Sequence, residues 1–402
     1  MFDLSVTNKH ASPPDPESGD SAIASWSPIV ARDTRPIGFR LELRNTRLPL
    51  ADGLDAVLSD FVAEGTTSFP HGLVVLAPID SACDESLIHW SAPRNVLLEV
   101  NSAQLDSQEH VKRLCEVQRR GVRLALRVLD NATVARERLP LFQYVLARQR
   151  PTSGETAWLA TLKNTRAEAN IAFQQGANAV IGWPLRELDA GIKPGLQPTQ
   201  HAALELIRLV QADADLPDLE RGFKREPVLA YLLLTLANSS AFIRSTPVAS
   251  LSQAIALLGY QRLVKWLVLL LVIAAKDTGR RPQIYSAVVR GFCMENLAAE
   301  AGVDGTVRDS CFVVGAFSLL DAITGQPLPQ LLGELHLPEA VGAALQEGNG
   351  PFAPYLNLAR ALEVGDAMAI AQSAAPLNLQ PCAVRSALLR ALAATDALQS
   401  IV

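Results

Sequence analysis

The chain has 402 residues, 49% of them hydrophobic and 19% charged, which is enough apolar material for two or three packed domains and excludes a composition-driven disordered chain. The net charge is −5 and neither half of the chain is basic, which argues against a dedicated duplex-DNA binder. Five cysteines, an odd number with wide spacing and no CxxC, point to reduced thiols in a cytoplasmic protein, not to a disulfide framework or a zinc site.

The first residues, Met1 to Ser25, hold Pro13, Pro14 and Pro16 and no apolar core of a signal peptide. They read as a disordered N-terminal arm, with the arm assigned to residues 1–26. From about Ser27 to Pro184, short apolar runs alternate with helical patterns. Ile37–Arg44 (IGFRLELR), Leu73–Ala77, Asn95–Val100, Val122–Leu129, Tyr144–Ala147, Leu159–Leu162 and Ala179–Gly182 read as strands. Between them, Ser107–Arg120 is amphipathic, with Val111, Leu114, Cys115 and Gln118 on one face, and Thr165–Gln175 is a second helical stretch. Strands separated by helices imply a mostly parallel sheet. Seven or eight such units make a (β/α) barrel, here over residues 27–190. The 169 residues from Ser27 to Gly195 are few against the usual ~250, so barrel helices must be trimmed or missing.

Gly191, Pro194, Gly195 and Pro198 mark a linker at 191–198. From Thr199 the apolar period becomes 3.6, beginning with Ala203, Leu206, Ile207 and Val210. Pro227 can open a helix over VLAYLLLTLAN, and Ser250 with Gln253 forms a capping box that opens a helix ending at Gly259. Helical patterns follow at Arg262–Ala275, Gln283–Ala301, Thr306–Ile323, Glu339–Gln346, Pro354–Glu363, Ala367–Ala374 and Pro381–Ala393. Residues 199–402 therefore read as an all-α domain. The run Trp266–Ala275 is too short to cross a bilayer, which needs ~20 residues, and reads as a buried helix.

Chemistry is sparse. GxxxxGK[ST], GxGxxG, GxSxG and HExxH are all absent. None of the six histidines is followed by Asp, so the adjacent His-Asp metal pair of a helical phosphohydrolase is not present, and His201 and His336 read as surface or capping residues. Arg119, Arg120, Arg123 and Arg127 form a cluster in which Arg123 and Arg127 share a strand face. Two fixed guanidiniums could hold a phosphate there; equally, they could pair with Glu99 or Asp130 or be solvated.

Four segments, IVARDTRPIGFRLELR, VLLEVNSAQ, GVRLALRVLD and QGANAVIGWPL, together resemble an EAL domain, the cyclic di-GMP phosphodiesterase barrel. PVLAYLLLTLANSSAF, VASLSQAIALLGYQRLVKWLVLLL, FVVGAFSLLDAITGQPLPQLL and ARALEVGD resemble an HDOD domain, a degenerate relative of the HD hydrolases. The implied fold is α/β plus all-α, a trimmed (β/α) barrel of EAL type followed by a helical HDOD domain. An active EAL barrel holds two metal ions on carboxylates and an asparagine. Carried across position by position, the resemblance puts Arg40 where the first Glu should stand, with Glu42 two residues away on the same strand face. The metal-binding Asn falls at Ala77, and the next Glu is kept as Glu99. The paired aspartates fall at Arg127 and Val128, the Lys near Leu146 and the late Glu near Asn164. Arg44 matches the family arginine that contacts ligand phosphate, while the QG ligand motif reads Ile181-Gly182. In the helical part the HD dipeptide falls near Ser318-Leu319, with Asp321 nearby.

The resemblance implies a cytoplasmic bacterial signalling protein without catalysis, metal or cofactor, acting through protein partners. The alternative is a cyclic di-GMP receptor that binds without hydrolysis through Arg44, Glu99, Arg123 and Arg127. Phe242 and Ile243, in the loop Ser239–Ser250, are the candidate partner-binding residues, unless Phe242 folds back on the core. Neither a membrane span nor dedicated nucleic-acid binding is expected.

Overall fold

The computed structural model describes residues 23–45, 49–62, 69–79, 83–129, 135–151, 156–162, 165–187, 196–238, 248, 250–273, 278–334 and 337–399. The first region is a closed barrel of eight strands in sequential order. They are β1 (Ile23–Ala31), β2 (Pro36–Arg44), β3 (Leu73–Pro78), β4 (Val96–Asn101), β5 (Arg123–Arg127), β6 (Tyr144–Ala147), β7 (Ala157–Thr161) and β8 (Ala179–Ile181). Strand β1 runs antiparallel to both β2 and β8, and all other neighbours are parallel.

The antiparallel strand accounts for the short chain. A hairpin over residues 32–35 joins β1 to β2, so no crossover helix is needed there. Described α-helices fill only three connections: α1 (Leu50–Asp60), α2 (Gln108–Arg119) and α3 (Arg166–Gln174). Short 3-10 turns at Glu85–His89 and Arg136–Leu141 stand in two others.

Two sequence expectations are corrected here. Residues 23–26, assigned to a disordered arm, are strand. The alternation in β1 is concealed because its inward positions include Ser25 and Ser27 and because Pro28 interrupts it. Pro28 is tolerated because its carbonyl accepts from Gly182 N at 2.9 Å, so its missing N–H points to the same side, just past the end of β8. In α2 the buried residues are Leu114 and Val117, with Gln118 only partly covered.

Inside the barrel, Ile29, Val75, Leu97, Ala125, Leu146, Leu159, Ala179 and Ile181 form one apolar layer. β2 adds no apolar side chain to it. Its inward parity carries Gly38, Arg40, Glu42 and Arg44 instead. Gly38 is required by close approach, since a Cβ there would sit 1.9 Å from the Leu73 carbonyl oxygen.

The second region is helical: α4 (Pro198–Gln211), α5 (Leu216–Lys224), α6 (Pro227–Ala237), α7 (Leu251–Ile273), α8 (Arg281–Glu300), α9 (Gly305–Phe317), α10 (Leu320–Thr324), α11 (Leu328–Glu334), α12 (Glu339–Gly342), α13 (Ala353–Val364), α14 (Ala367–Ala374) and α15 (Pro381–Gln399). No strand occurs among its described residues. Ser250 accepts from Gln253 N, as a cap should. α7 breaks at Gly259, whose φ of 70° only glycine adopts without strain, and its halves bend by 108°. Among the described residues no single helix is long and apolar enough to cross a membrane; the bent halves of α7 pass that test only as a pair. The stretch Thr306–Ile323 divides in two, because Leu319, with a φ of −121°, leaves the helical conformation between α9 and α10.

The helical region covers the side of the barrel that carries its own hairpin. α8, α13 and α15 pack on β1, and α15 also packs on α1. Trp26 meets Tyr285 edge-to-face at 6.0 Å, a contact worth ~0.5–1.5 kcal/mol beyond area burial. Arg385 on α15 donates to Asp60 at 2.7 Å, with both side chains mostly buried. Asp396 on α15 accepts from the backbone N–H groups of His71 (2.6 Å) and Gly72 (3.3 Å), just before β3. Burial and the nearby Asp396 carboxylate push the Tyr285 hydroxyl pKa upward. The apolar contacts across this seam belong to one continuous core.

Candidate functional site

Parallel strands all exit at one end of the barrel, and that mouth collects the inward side chains at the ends of β2, β4 and β5. Arg40 is buried there and engages Glu99 with two parallel bonds, Nε to Oε2 at 2.5 Å and Nη2 to Oε1 at 2.7 Å. Its remaining Nη1 donates to Glu42 Oε1 at 2.5 Å. Arg44 reaches the other Glu42 oxygen at 3.7 Å, and Arg127 reaches Glu99 Oε1 at 3.7 Å. Three guanidiniums thus surround two carboxylates.

Burial opposes the Arg40 cation, but the adjacent Glu99 and then Glu42 more than offset that cost and hold it charged. Burial likewise pushes the Glu42 carboxyl upward, yet Arg40, with help from Arg127 and Arg44, brings it below its ordinary value. Arg40 is therefore a fixed internal cation, saturated by both acids.

These residues do not fit a divalent metal pair. Ala77 lies directly beside Glu42 in the strand register and offers no side-chain oxygen. Leu146, which lies beside Arg127, is apolar. The oxygens of Glu99 and Glu42 already bind a guanidinium, and a metal ion would have to share them with Arg40 at van der Waals range. No group of three or more His, Cys, Asp or Glu that could hold a metal occurs among the described residues.

Of the ligand candidates, the structure brings Arg44, Glu99 and Arg127 together and separates Arg123. Arg123 is on the same strand face as Arg127 but at the opposite end of the barrel, four residues or ~13 Å away at the usual strand rise. It bonds the Arg94 carbonyl and the Gln143 side chain, both of which precede their strands. Even spacing fixes the face of a strand and not its height, so Arg123 is removed from the mouth. The expected pairing of Arg127 with Glu99 is present. Asp130 and Asn164 lie outside the described residues, as do Phe242, Ile243 and His336.

The helical region has a matching arrangement. α8 and α9 approach closely because Gly291 faces Gly315; a Cβ on Gly315 would meet Gly291 Cα at 2.7 Å. That contact brings Arg290 to Ser318, whose Oγ accepts from Nη1 at 2.5 Å. The same guanidinium grips Glu363 of α13 through Nε to Oε1 (2.9 Å) and Nη2 to Oε2 (2.6 Å). Ser318 lies near where the resemblance puts the HD dipeptide, so an arginine–glutamate pair stands close to that position too. Neither Arg290 nor Glu363 stands out in the sequence. The signal was one cation inside the apolar helical run SAVVRGFCM, and a lone acid in ARALEVG.

The two arrangements adjoin. Gly365, which ends α13 with a φ of 80°, lies where a Cβ would come 3.0 Å from Ser25 Oγ and 3.7 Å from Glu42 Oε2. The end of α13 therefore stands at the rim of the barrel mouth.

Comparison with known proteins agrees with this division. Residues 196–323 match the HDOD domain family. The chain is 28% identical over 198 residues to "Cyclic di-GMP phosphodiesterase CdgJ" of Vibrio cholerae serotype O1, an alignment covering 49% of this chain and 45% of that protein. It is 26% identical over 215 residues to "Uncharacterized protein YuxH" of Bacillus subtilis, covering 51% of each. The chain thus spans about half the length of the curated relatives it matches. Among solved structures, a putative signal transduction protein from Marinobacter aquaeolei VT8 overlaps 95% of this chain and 96% of its own, at 13% identity and a TM-score of 0.37. PaMucR phosphodiesterase in its c-di-GMP complex overlaps 40% of this chain and 89% of its own, at 11% identity and a TM-score of 0.29. At these scores neither structural likeness carries an argument.

Proposed function

We propose that this chain is a non-catalytic component of cyclic di-GMP signalling, an EAL-like barrel without phosphodiesterase chemistry joined to an HDOD domain, acting through protein partners. The similarity to a cyclic di-GMP phosphodiesterase and the HDOD match support the signalling context. One observation carries the loss of catalysis: the bidentate Arg40–Glu99 pair. Phosphodiester hydrolysis at such a site needs carboxylates free to hold divalent cations that activate water. Here Glu99 neutralises a guanidinium that occupies the adjacent position, and Glu42 is drawn to the same cation. A barrel can keep its packing layer and lose its chemistry, because the two draw on different side chains.

The test is hydrolysis of cyclic di-GMP by the purified full chain with magnesium or manganese. No turnover is expected. Metal-dependent turnover abolished by Glu99→Ala would refute the proposal.

A second reading, nucleotide binding without hydrolysis, is favoured by the state of the mouth arginines. Arg44 Nε is buried with no hydrogen-bond partner, and the Arg44 and Arg127 side chains remain 35% and 37% exposed. Their unspent donors could face a phosphate. Calorimetry with cyclic di-GMP on the native chain and on Arg44→Gln decides it; absence of heat at high ligand removes this reading.

A further inference from the structure

The turn that joins α13 to α14 stands at the rim of the barrel mouth. It carries the two most exposed large apolar side chains among the described residues, Val364 at 80% and Met368 at 69%. One exposed apolar side chain is ordinary on a protein surface. Two on a single turn beside open charges are a patch. The turn itself is well fixed. Val364 ends α13, Gly365 follows in the left-handed conformation, and Asp366 caps α14 by accepting from Met368 N at 2.9 Å and Ala369 N at 3.4 Å.

The open charges belong to the barrel. A Cβ on Gly365 would stand 3.7 Å from Glu42 Oε2, and Arg44 Nη2 lies 3.7 Å from that same oxygen. A single carboxylate oxygen therefore separates the apolar turn from Arg44. Both acids of the mouth are engaged by Arg40, with contacts of 2.5 Å to Glu42 and to Glu99. Arg44 and Arg127 only lean on them at 3.7 Å, which is longer than a hydrogen bond. Arg44 also keeps a buried Nε without a hydrogen-bond partner. The mouth thus offers guanidinium donors without matching acceptors, and the helical region sets apolar surface next to them.

We propose that Arg44 and Arg127 of the barrel, with Val364 and Met368 of the helical region, form one docking surface for an acidic protein segment that carries a large apolar side chain between its carboxylates. The inference rests on the reading of the chain as a component that acts through protein partners, and it names that partner's chemistry. Carboxylates match the planar donor fork of a guanidinium, and the apolar side chain covers Val364 and Met368. A nucleic acid fits this surface less well, because its bases need exposed rings to stack on. Tyr231, the only large aromatic side chain exposed among the described residues, is on α6, which packs on α4, α5 and α7. Since the surface draws two residues from each region, a bound segment stabilises their relative placement by mass action.

The experiment is fluorescence anisotropy with the full chain and a labelled peptide in which leucine stands between glutamates. Saturable binding that weakens with added salt is expected. Arg44→Gln and Met368→Ser are each expected to weaken it by about tenfold, and a peptide with serine in place of the leucine should lose a similar factor. Met368→Ser and Val364→Ser should melt as the native chain does, because both side chains are exposed, so their loss of binding is not a loss of fold. Absence of saturable binding overturns the proposal. So does binding that falls in Arg44→Gln but is unchanged in both serine variants, which would reduce the surface to a simple anion site. Hydrolysis of cyclic di-GMP, measured on the same preparation, separates the two levels of the argument. No turnover with no peptide binding refutes the docking surface alone, whereas metal-dependent turnover refutes the non-catalytic reading beneath it.

Discussion

The barrel mouth and the helical core each bury an arginine clamped by a glutamate, yet the two clamps are balanced differently. In the barrel, Arg40 has two acids, Glu99 and Glu42, and two further arginines lean on them from the mouth. In the helical region Arg290 has a single acid, Glu363, plus the Ser318 hydroxyl, and Arg360 is left without a share. The comparison teaches that a buried charge tolerates substitution in proportion to its spare partners. Breaking a buried pair by removing one member costs roughly 3–5 kcal/mol, mostly through the uncompensated charge that remains.

The largest effect is therefore expected from reversing the buried cation. Arg40→Glu places three carboxylates together and should destabilise the chain by more than ~5 kcal/mol, read as a collapse in the denaturation midpoint. Manganese should recover part of that loss, because the variant restores anionic oxygens; a variant as stable as the native chain without metal would break the account of the mouth. Next comes Glu363→Ala, which leaves Arg290 with only a hydroxyl. Its cost is set at the upper end of ~3–5 kcal/mol. Glu99→Ala should cost less than Glu363→Ala, since Glu42 still holds Arg40. Equal or inverted losses in chemical denaturation would show that the difference between the two clamps does not matter.

A smaller effect is expected from pH. The Glu42 pKa is depressed in the folded chain below its ordinary 4.5, so its contribution is fully present above that value and is lost as pH falls through the folded one. Glu42→Gln should flatten the acid limb of stability measured from about pH 7 to about pH 3, and leave it unchanged in slope near neutrality. The smallest effect belongs to a surface pair. Asp33 and Arg35 are both more than half exposed, so Asp33→Asn should change stability by no more than ~0.5 kcal/mol.

The sequence makes some layers of this molecule readable and hides others for physical reasons. Strands such as Tyr144–Ala147 and Leu73–Pro78 are legible because their apolar runs are bounded by polar turns. β1 is obscured because its inward positions include serines that the hairpin register, not hydrophobicity, holds in place. Glu99 is found through the family resemblance, and the pairing of Arg127 with it is anticipated. The partner that matters most, Arg40, is read from sequence only as a missing ligand. Its role as a counter-ion needed one more step, since Arg40 and Glu42 at even spacing on a strand buried on both faces must find charges inside the barrel. Arg123 misleads because parity on a strand says nothing of height. Arg290 and Glu363 lie 73 residues apart, and only the glycine contact between α8 and α9 and the packing of α13 bring them together.

The central claim is that a guanidinium, not a divalent cation, neutralises Glu99. Manganese titrated into the native full chain, followed by electron paramagnetic resonance of the free ion and repeated with Glu99→Ala, tests it directly. The account predicts the same weak, non-stoichiometric uptake in both proteins. Stoichiometric manganese binding in the native chain that disappears in Glu99→Ala would contradict it.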